Sequence, residues 1–272
     1  MDRRRFLASG IAAGALACVE SGPGSTRTIQ AQKNTHPERL VNLGAKPKPV
    51  QLDLNRTAVI VVDMQNDFCS KGGLLHVLGV DVSIVQSVVP QIRAVLSAAR
   101  KAQLKIIYLQ MAYKPDLSDL GPMGSPSWNT NRDAGTGNTV TAPNGREGRI
   151  LIRGTWNTEI IEELKPEPGD IALYKTRYSG FYQTDLDSTL KSLGARFLIV
   201  TGCTTSVCVE STIRDAVFLD YSPILLSDCT AEPIGYGLPR SNHEASIFII
   251  QKRFGWISTS DQFVQSTGKA RA

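Results

Sequence analysis

The sequence predicts an α/β fold of three layers, an open parallel sheet covered by helices on both faces. Three observations lead there: short apolar runs rich in β-branched residues recur, the runs are continuous instead of alternating, and helix-like segments separate them. A strand buried on both faces needs an apolar side chain at nearly every position, which a half-exposed strand does not. The runs are 57–62 (TAVIVV), 105–109 (KIIYL), 170–174 (DIALY), 197–200 (FLIV) and 223–226 (PILL). Between them, 91–102 places Ile92, Val95, Leu96 and Ala99 on one stripe, with Pro90 suited to a first helical turn. Ile160, Ile161 and Leu164 give 158–164 a similar stripe, and 185–193, 206–219 and 243–254 complete the helices. Steady alternation of strand and helix argues for right-handed crossovers.

The totals bound what such a fold can serve. At 272 residues, 42% hydrophobic and 20% charged, the chain suffices for one large globular domain. A net charge of +5, without a long Lys/Arg run, gives nucleic-acid binding little electrostatic support. The start, MDRRRFLASGIAAGALAC, reads as a targeting segment: paired arginines, then an apolar run too short to span a bilayer, then Ala15-Leu16-Ala17 as a small-residue cleavage pattern. Arg3, Arg4, Phe6 and Leu7 resemble a twin-arginine export signal, so 1–31 is expected to direct the protein out of the cytoplasm. Cys18 offers a lipid-anchor alternative, disfavoured because Ala15 stands where lipoproteins carry Leu. Residues 32–49, poor in large apolar side chains, read as a linker, with the folded domain at 50–272.

In open α/β sheets, ligands bind beyond the carboxyl ends of the strands, so the polar residue just after each apolar run is the one to examine. Asp63 follows AVIVV, Lys175 follows IALY, and Thr201 and Gly202 follow FLIV, with Cys208 a few residues on. The glycine- and proline-rich stretch 112–154 is expected to cover that edge with loops.

Cys208 admits several readings. Cys-x4-Cys with Cys203 is not a usual zinc knuckle, and His36, His76 and His243 are scattered, so no metal and no cofactor is expected. A Cys203–Cys208 disulfide, redox use of that pair, and plain packing stay open to sequence; packing is preferred for Cys203 and Cys229. Cys208 differs because a strand, a glycine turn and a helix start would place its thiol where free N–H groups favour a thiolate and can serve an oxyanion. Asp63 and Lys175 are suitable types at equivalent strand ends to serve it.

The segments VVDMQNDF (61–68), YKTRYSGF (174–181) and TGCTTSVCVESTIRDA (201–216) together resemble the isochorismatase-like cysteine hydrolases. That resemblance implies a Rossmann-like, six-stranded parallel sheet and a triad of Asp63, Lys175 and Cys208. It implies a cis peptide at Cys203–Thr204, with the Thr204 and Cys208 N–H groups forming an oxyanion hole. It also implies a small-molecule amide substrate and a homo-oligomer. The metal ligands of nicotinamidases have no counterpart after Gln110-Met111-Ala112-Tyr113. GPMGSPSW (121–128) and CVEST resemble ureidoacrylate amidohydrolases, whereas FCSKGG (68–73) is more like biuret hydrolases. The expected reaction is thus C–N cleavage of a ureido, carbamoyl or carboxamide compound, with carbamate or ester hydrolysis and non-catalytic binding as alternatives. Phe68, Tyr113 and Tyr178 are the expected pocket walls.

Overall fold

A computed structural model describes residues 37–235 and 237–269. Residues 1–31, expected from sequence to direct export, lie outside the described residues, as does His36.

Six parallel strands build the central sheet. In chain order the strands are β1 (Leu40–Leu43), β2 (Val50–Asp53), β3 (Thr57–Val62), β4 (Lys105–Met111), β5 (Thr139–Thr141), β6 (Glu147–Arg149), β7 (Ile171–Lys175), β8 (Phe197–Cys203), β9 (Ser222–Ala231) and β10 (Trp256–Ser258). The sheet runs β10-β9-β8-β3-β4-β7, while β1-β2 and β5-β6 are separate antiparallel hairpins. Strand order turns back between β3 and β8: the chain goes outward through β4 to β7, then returns to the other side of β3. Such a reversal leaves a crevice at the strand ends, and it is where Asp63 and Cys208 emerge.

Period two in the strands sorts the core into two layers. Val59 and Val61 of β3 face one side, with Ile106, Tyr108 and Ile199, against the helices Val89–Lys101 and Ser260–Lys269. Ala58, Ile60 and Val62 face the other, with Ile107, Leu109 and Val200, against Leu186–Ser192 and Glu210–Phe218. Both faces are covered, which is why these runs are apolar throughout.

Three expectations need correction. Residues 40–43, assigned to a linker, form β1, and Val41 and Leu43 are buried in the first layer, so the compact unit starts at Glu38. The alternation of LVNL is too short to stand out beside the glycines and prolines that follow it. Residues 158–164 are not an α-helix: Trp156–Thr158 and Glu162–Leu164 are single 3-10 turns around extended Ile160 and Ile161. Pairing decides this, since Ile160 bridges Gln65 and the Ile161 N–H donates to the Met64 carbonyl (3.1 Å). Finally, 206–219 and 243–254 are each part α- and part π-helix, with π turns at Thr205–Val209 and Ile250–Phe254.

Candidate active site

Asp63, Lys175 and Cys208 meet at the crevice. Asp63 follows β3 with φ +53°, a left-handed conformation that Asp tolerates better than most residues, and its N–H is held by the Leu109 carbonyl (2.9 Å). Its Oδ1 accepts from the Met111 N–H (2.9 Å), and its Oδ2 lies 2.7 Å from Lys175 Nζ. Lys175 ends β7 directly beside Met111 of β4, and its ammonium reaches Cys208 Sγ at 3.3 Å. Relative exposures of 1%, 0% and 7% for Asp63, Lys175 and Cys208 make this a dry, coupled cluster.

Burial dominates the electrostatics. It pushes the Asp63 carboxyl above its ordinary value, against the opposing pull of Lys175. Burial also works against the Lys175 ammonium, but Asp63 and Cys208 outweigh it and hold the amine above its usual value. The Cys208 thiol is pushed well up, again by burial first, with Lys175 opposing. Burial thus works against the preformed thiolate that a helix start suggests, and the sulfur lies within reach of the Asp63 carboxyl. A proton acceptor at the thiol is then a chemical necessity for nucleophilic attack.

The turn between β8 and its helix presents backbone N–H groups. Gly202 has φ +111°, and a Cβ there would overlap the Val62 carbonyl, so glycine is required where β8 passes β3. The Cys203–Thr204 peptide is cis. The Val207 and Val209 N–H groups donate to the Thr204 carbonyl (3.2 Å each), and the Ser206 N–H donates to Glu232 Oε2 (2.7 Å). The Thr204 N–H directly precedes the π turn and the Cys208 N–H lies within it, on the same turn as the sulfur.

A cavity of ≈ 210 Å³ opens above the sulfur, with Asp63, Thr204 and Cys208 among its lining residues. Phe68 and Tyr178 line it as expected. Tyr113 does not: it is fully buried beneath the covering loops, and its hydroxyl donates to the Thr176 carbonyl (3.3 Å). The stretch 112–154 does cover the edge, contributing Thr130, Asn131 and Ala134 from or beside the helix Pro126–Asp133, together with Leu151.

Several residues that sequence reasoning passed over hold this arrangement. Glu232, 3% exposed, clamps the π turn through both the N–H and hydroxyl of Ser206. Thr205 Oγ1 bonds Thr230 Oγ1 (2.9 Å) and His243 Nδ1 (3.0 Å). Asp67 accepts from the N–H groups of Leu74 (3.1 Å) and Leu151 (2.8 Å) and from Asn157 Nδ2 (2.7 Å), tying two cavity walls together. Glu232 directly follows β9, so the strand-end rule would have found it had β9 been read to its full length. Ser227, Asp228 and Thr230 disguise that end. The redox pairing of Cys203 with Cys208 fares differently. The four described cysteines are free, and Cys203 packs in the opposite layer from Cys208, beside Cys69. Among the described residues, no cluster of three or more His, Cys, Asp or Glu is placed to hold a metal ion.

Residues 57–262 match the model of the isochorismatase domain, and this chain belongs to that family of hydrolases. It is 42% identical over 229 residues to the ureidoacrylate amidohydrolase RutB of Caulobacter segnis, covering 84% of this chain and 93% of that protein. Among solved structures, a cysteine hydrolase of Pseudomonas syringae pv. phaseolicola is 33% identical with a TM-score of 0.67, covering 87% of this chain and 99% of that one. The N-carbamoylsarcosine amidase of Thermoplasma acidophilum shares the fold at 24% identity, with a TM-score of 0.56 over 76% and 97% of the two chains.

Proposed function

We propose that this protein is a cysteine amidohydrolase that cleaves a C–N bond of a small ureido, carbamoyl or carboxamide compound through a thioester-type intermediate. One observation carries the proposal: Cys208 Sγ stands 3.3 Å from an ammonium that is itself 2.7 Å from the Asp63 carboxylate, at the base of a small cavity. The identity to ureidoacrylate amidohydrolases supports the same class of bond.

The chemistry follows from the resting state. Asp63 takes the thiol proton as the sulfur attacks the carbonyl carbon, and Lys175 stabilises the anionic charge as it moves between the two. The tetrahedral oxyanion rests on the Thr204 and Cys208 N–H groups, where each donor is worth roughly 10²–10³ in rate. Asp63 then returns its proton to the leaving nitrogen, and the C–N bond breaks. Water, deprotonated by Asp63, attacks the acyl-sulfur carbon and releases the thiol.

Ammonia release from biuret, ureidoacrylate, N-carbamoylsarcosine, nicotinamide and aliphatic amides tests the proposal. Turnover of at least one compound, lost in Cys208→Ala, is the expected result; equal turnover by the variant would refute it. The family resemblance also supports a homo-oligomer. Arg3, Arg4, Phe6 and Leu7 support export in the folded state, which would bury the reactive thiol before it meets an oxidising compartment.

A further inference from the structure

Glu232 is a buried carboxylate that the chemistry above does not use. It directly follows β9 and is 3% exposed. Its Oε2 accepts from both the N–H (2.7 Å) and the hydroxyl of Ser206, and its Oε1 accepts from the Ile234 N–H (3.0 Å). One carboxylate thus ties the π turn that carries Cys208 to a residue lining the cavity. Burying a carboxylate against neutral donors is a costly way to join two loops. What it gains is reach. With two oxygens and no donor of its own, it holds three N–H or O–H groups at once, which a glutamine in the same place cannot.

The front of the turn is locked residue by residue. The Thr204 carbonyl accepts from the Val207 and Val209 N–H groups (3.2 Å each). Thr205 Oγ1 lies between Thr230 Oγ1 (2.9 Å) and Nδ1 of His243 (3.0 Å), from the helix Asn242–Ile249. Ser206 is held by Glu232. The nucleophile is anchored separately: Lys175 Nζ stands 3.3 Å from its sulfur, and Thr212 Oγ1 donates to the Cys208 carbonyl (2.7 Å).

We propose that Glu232 is a positioning residue for the oxyanion hole: it fixes 204–206 so that the Thr204 N–H meets the tetrahedral oxygen, and it takes no part in activating the thiol. The inference rests on the amidase reading above and adds a residue to it. The oxyanion forms only as the carbonyl is attacked, so a misplaced donor is expected to lower kcat and leave KM nearly unchanged. Iodoacetamide alkylates a thiol by displacing iodide and forms no oxyanion. Its rate at Cys208 therefore reports on the sulfur and its activation by Asp63 and Lys175, not on Thr204.

The test measures both reactions on the full-length protein, Glu232→Gln and Glu232→Ala. Ammonia release from the best amide of the panel above gives kcat and KM, and peptide mass spectrometry follows alkylation at Cys208. Glutamine keeps the shape but offers one acceptor oxygen where glutamate offers two. The expected loss in kcat is about 10-fold for Glu232→Gln and roughly 10²–10³ for Glu232→Ala, the worth of one oxyanion donor. Alkylation is expected to stay within about 3-fold of the unsubstituted protein in both. Should Glu232→Ala fail to fold, Glu232→Gln alone decides. Unchanged kcat in a folded Glu232 variant, with turnover lost in Cys208→Ala, would overturn this inference and leave the amidase reading standing. Alkylation falling in step with kcat would also overturn it, since Glu232 would then act on the sulfur or on the fold at large. No Cys208-dependent ammonia release from any compound would remove the amidase reading, and this inference with it.

Discussion

Lys175 has no exposure and two negative or nucleophilic neighbours, so its loss should be felt in stability as well as chemistry. Lys175→Met leaves the Asp63 charge buried and unpaired, which costs about 3–5 kcal/mol. Asp63→Asn combined with Lys175→Met removes both charges. Urea unfolding should find the double variant more stable than Lys175→Met alone, while ammonia release stays absent in both. Asp67 makes a separate prediction. Burial raises its carboxyl from 3.8 to about 7, so between those values the native state holds a proton that the unfolded state has lost. Its contribution to stability is therefore present at low pH and declines as pH rises toward about 7. Asp67→Asn has no proton to lose, so its unfolding free energy should fall less steeply across that window; an unchanged slope would contradict this. At this scale the sequence was legible for reactive residues at strand ends. It was not legible for Tyr113, whose hydroxyl turns inward to a backbone carbonyl that no local pattern reveals.

The elements that position the site are the end of β3 and the turn after β8. They meet at Gly202, where the backbones approach too closely for any side chain. Gly202→Ala should lower stability by about 1–3 kcal/mol, through both its positive φ and the overlap with Val62. It should also reduce turnover more than a cavity-lining change such as Leu75→Val, because it displaces the turn that carries Thr204 and Cys208. Thermal melts and ammonia release on the two variants check both statements. The strands were readable because a sheet covered on both faces demands continuous apolar runs, which β3, β4, β8 and β9 show. The edge strand β7 was found by its apolar run as well, although its apolar residues alternate between half-buried and exposed. The sixth, Trp256–Ser258, is three residues long and carries no such run. The 158–164 stripe misled for a physical reason: backbone pairing with Gln65 and Met64 outweighs a helical period only two turns long. The π turn at Thr205–Val209 was equally hidden, since Glu232 and Thr230, which hold it, come from β9 or just beyond it.

At the scale of the molecule, strand order creates the crevice, burial works against a thiolate within it, and the covering loops give it apolar walls. If the export reading holds, Arg3→Lys with Arg4→Lys should keep the protein in the cytoplasm of a bacterial host with twin-arginine transport, as fractionation would show; secretion unchanged by that replacement would refute it. The central claim is that Cys208 becomes acylated. Its most direct test is rapid acid quench of the protein turning over its best amide, followed by intact and peptide mass spectrometry. The account predicts an added mass equal to the acyl group on the peptide containing Cys208, accumulating before steady state and absent in Cys208→Ala. Turnover without any adduct on Cys208, persisting in Cys208→Ala, would contradict it.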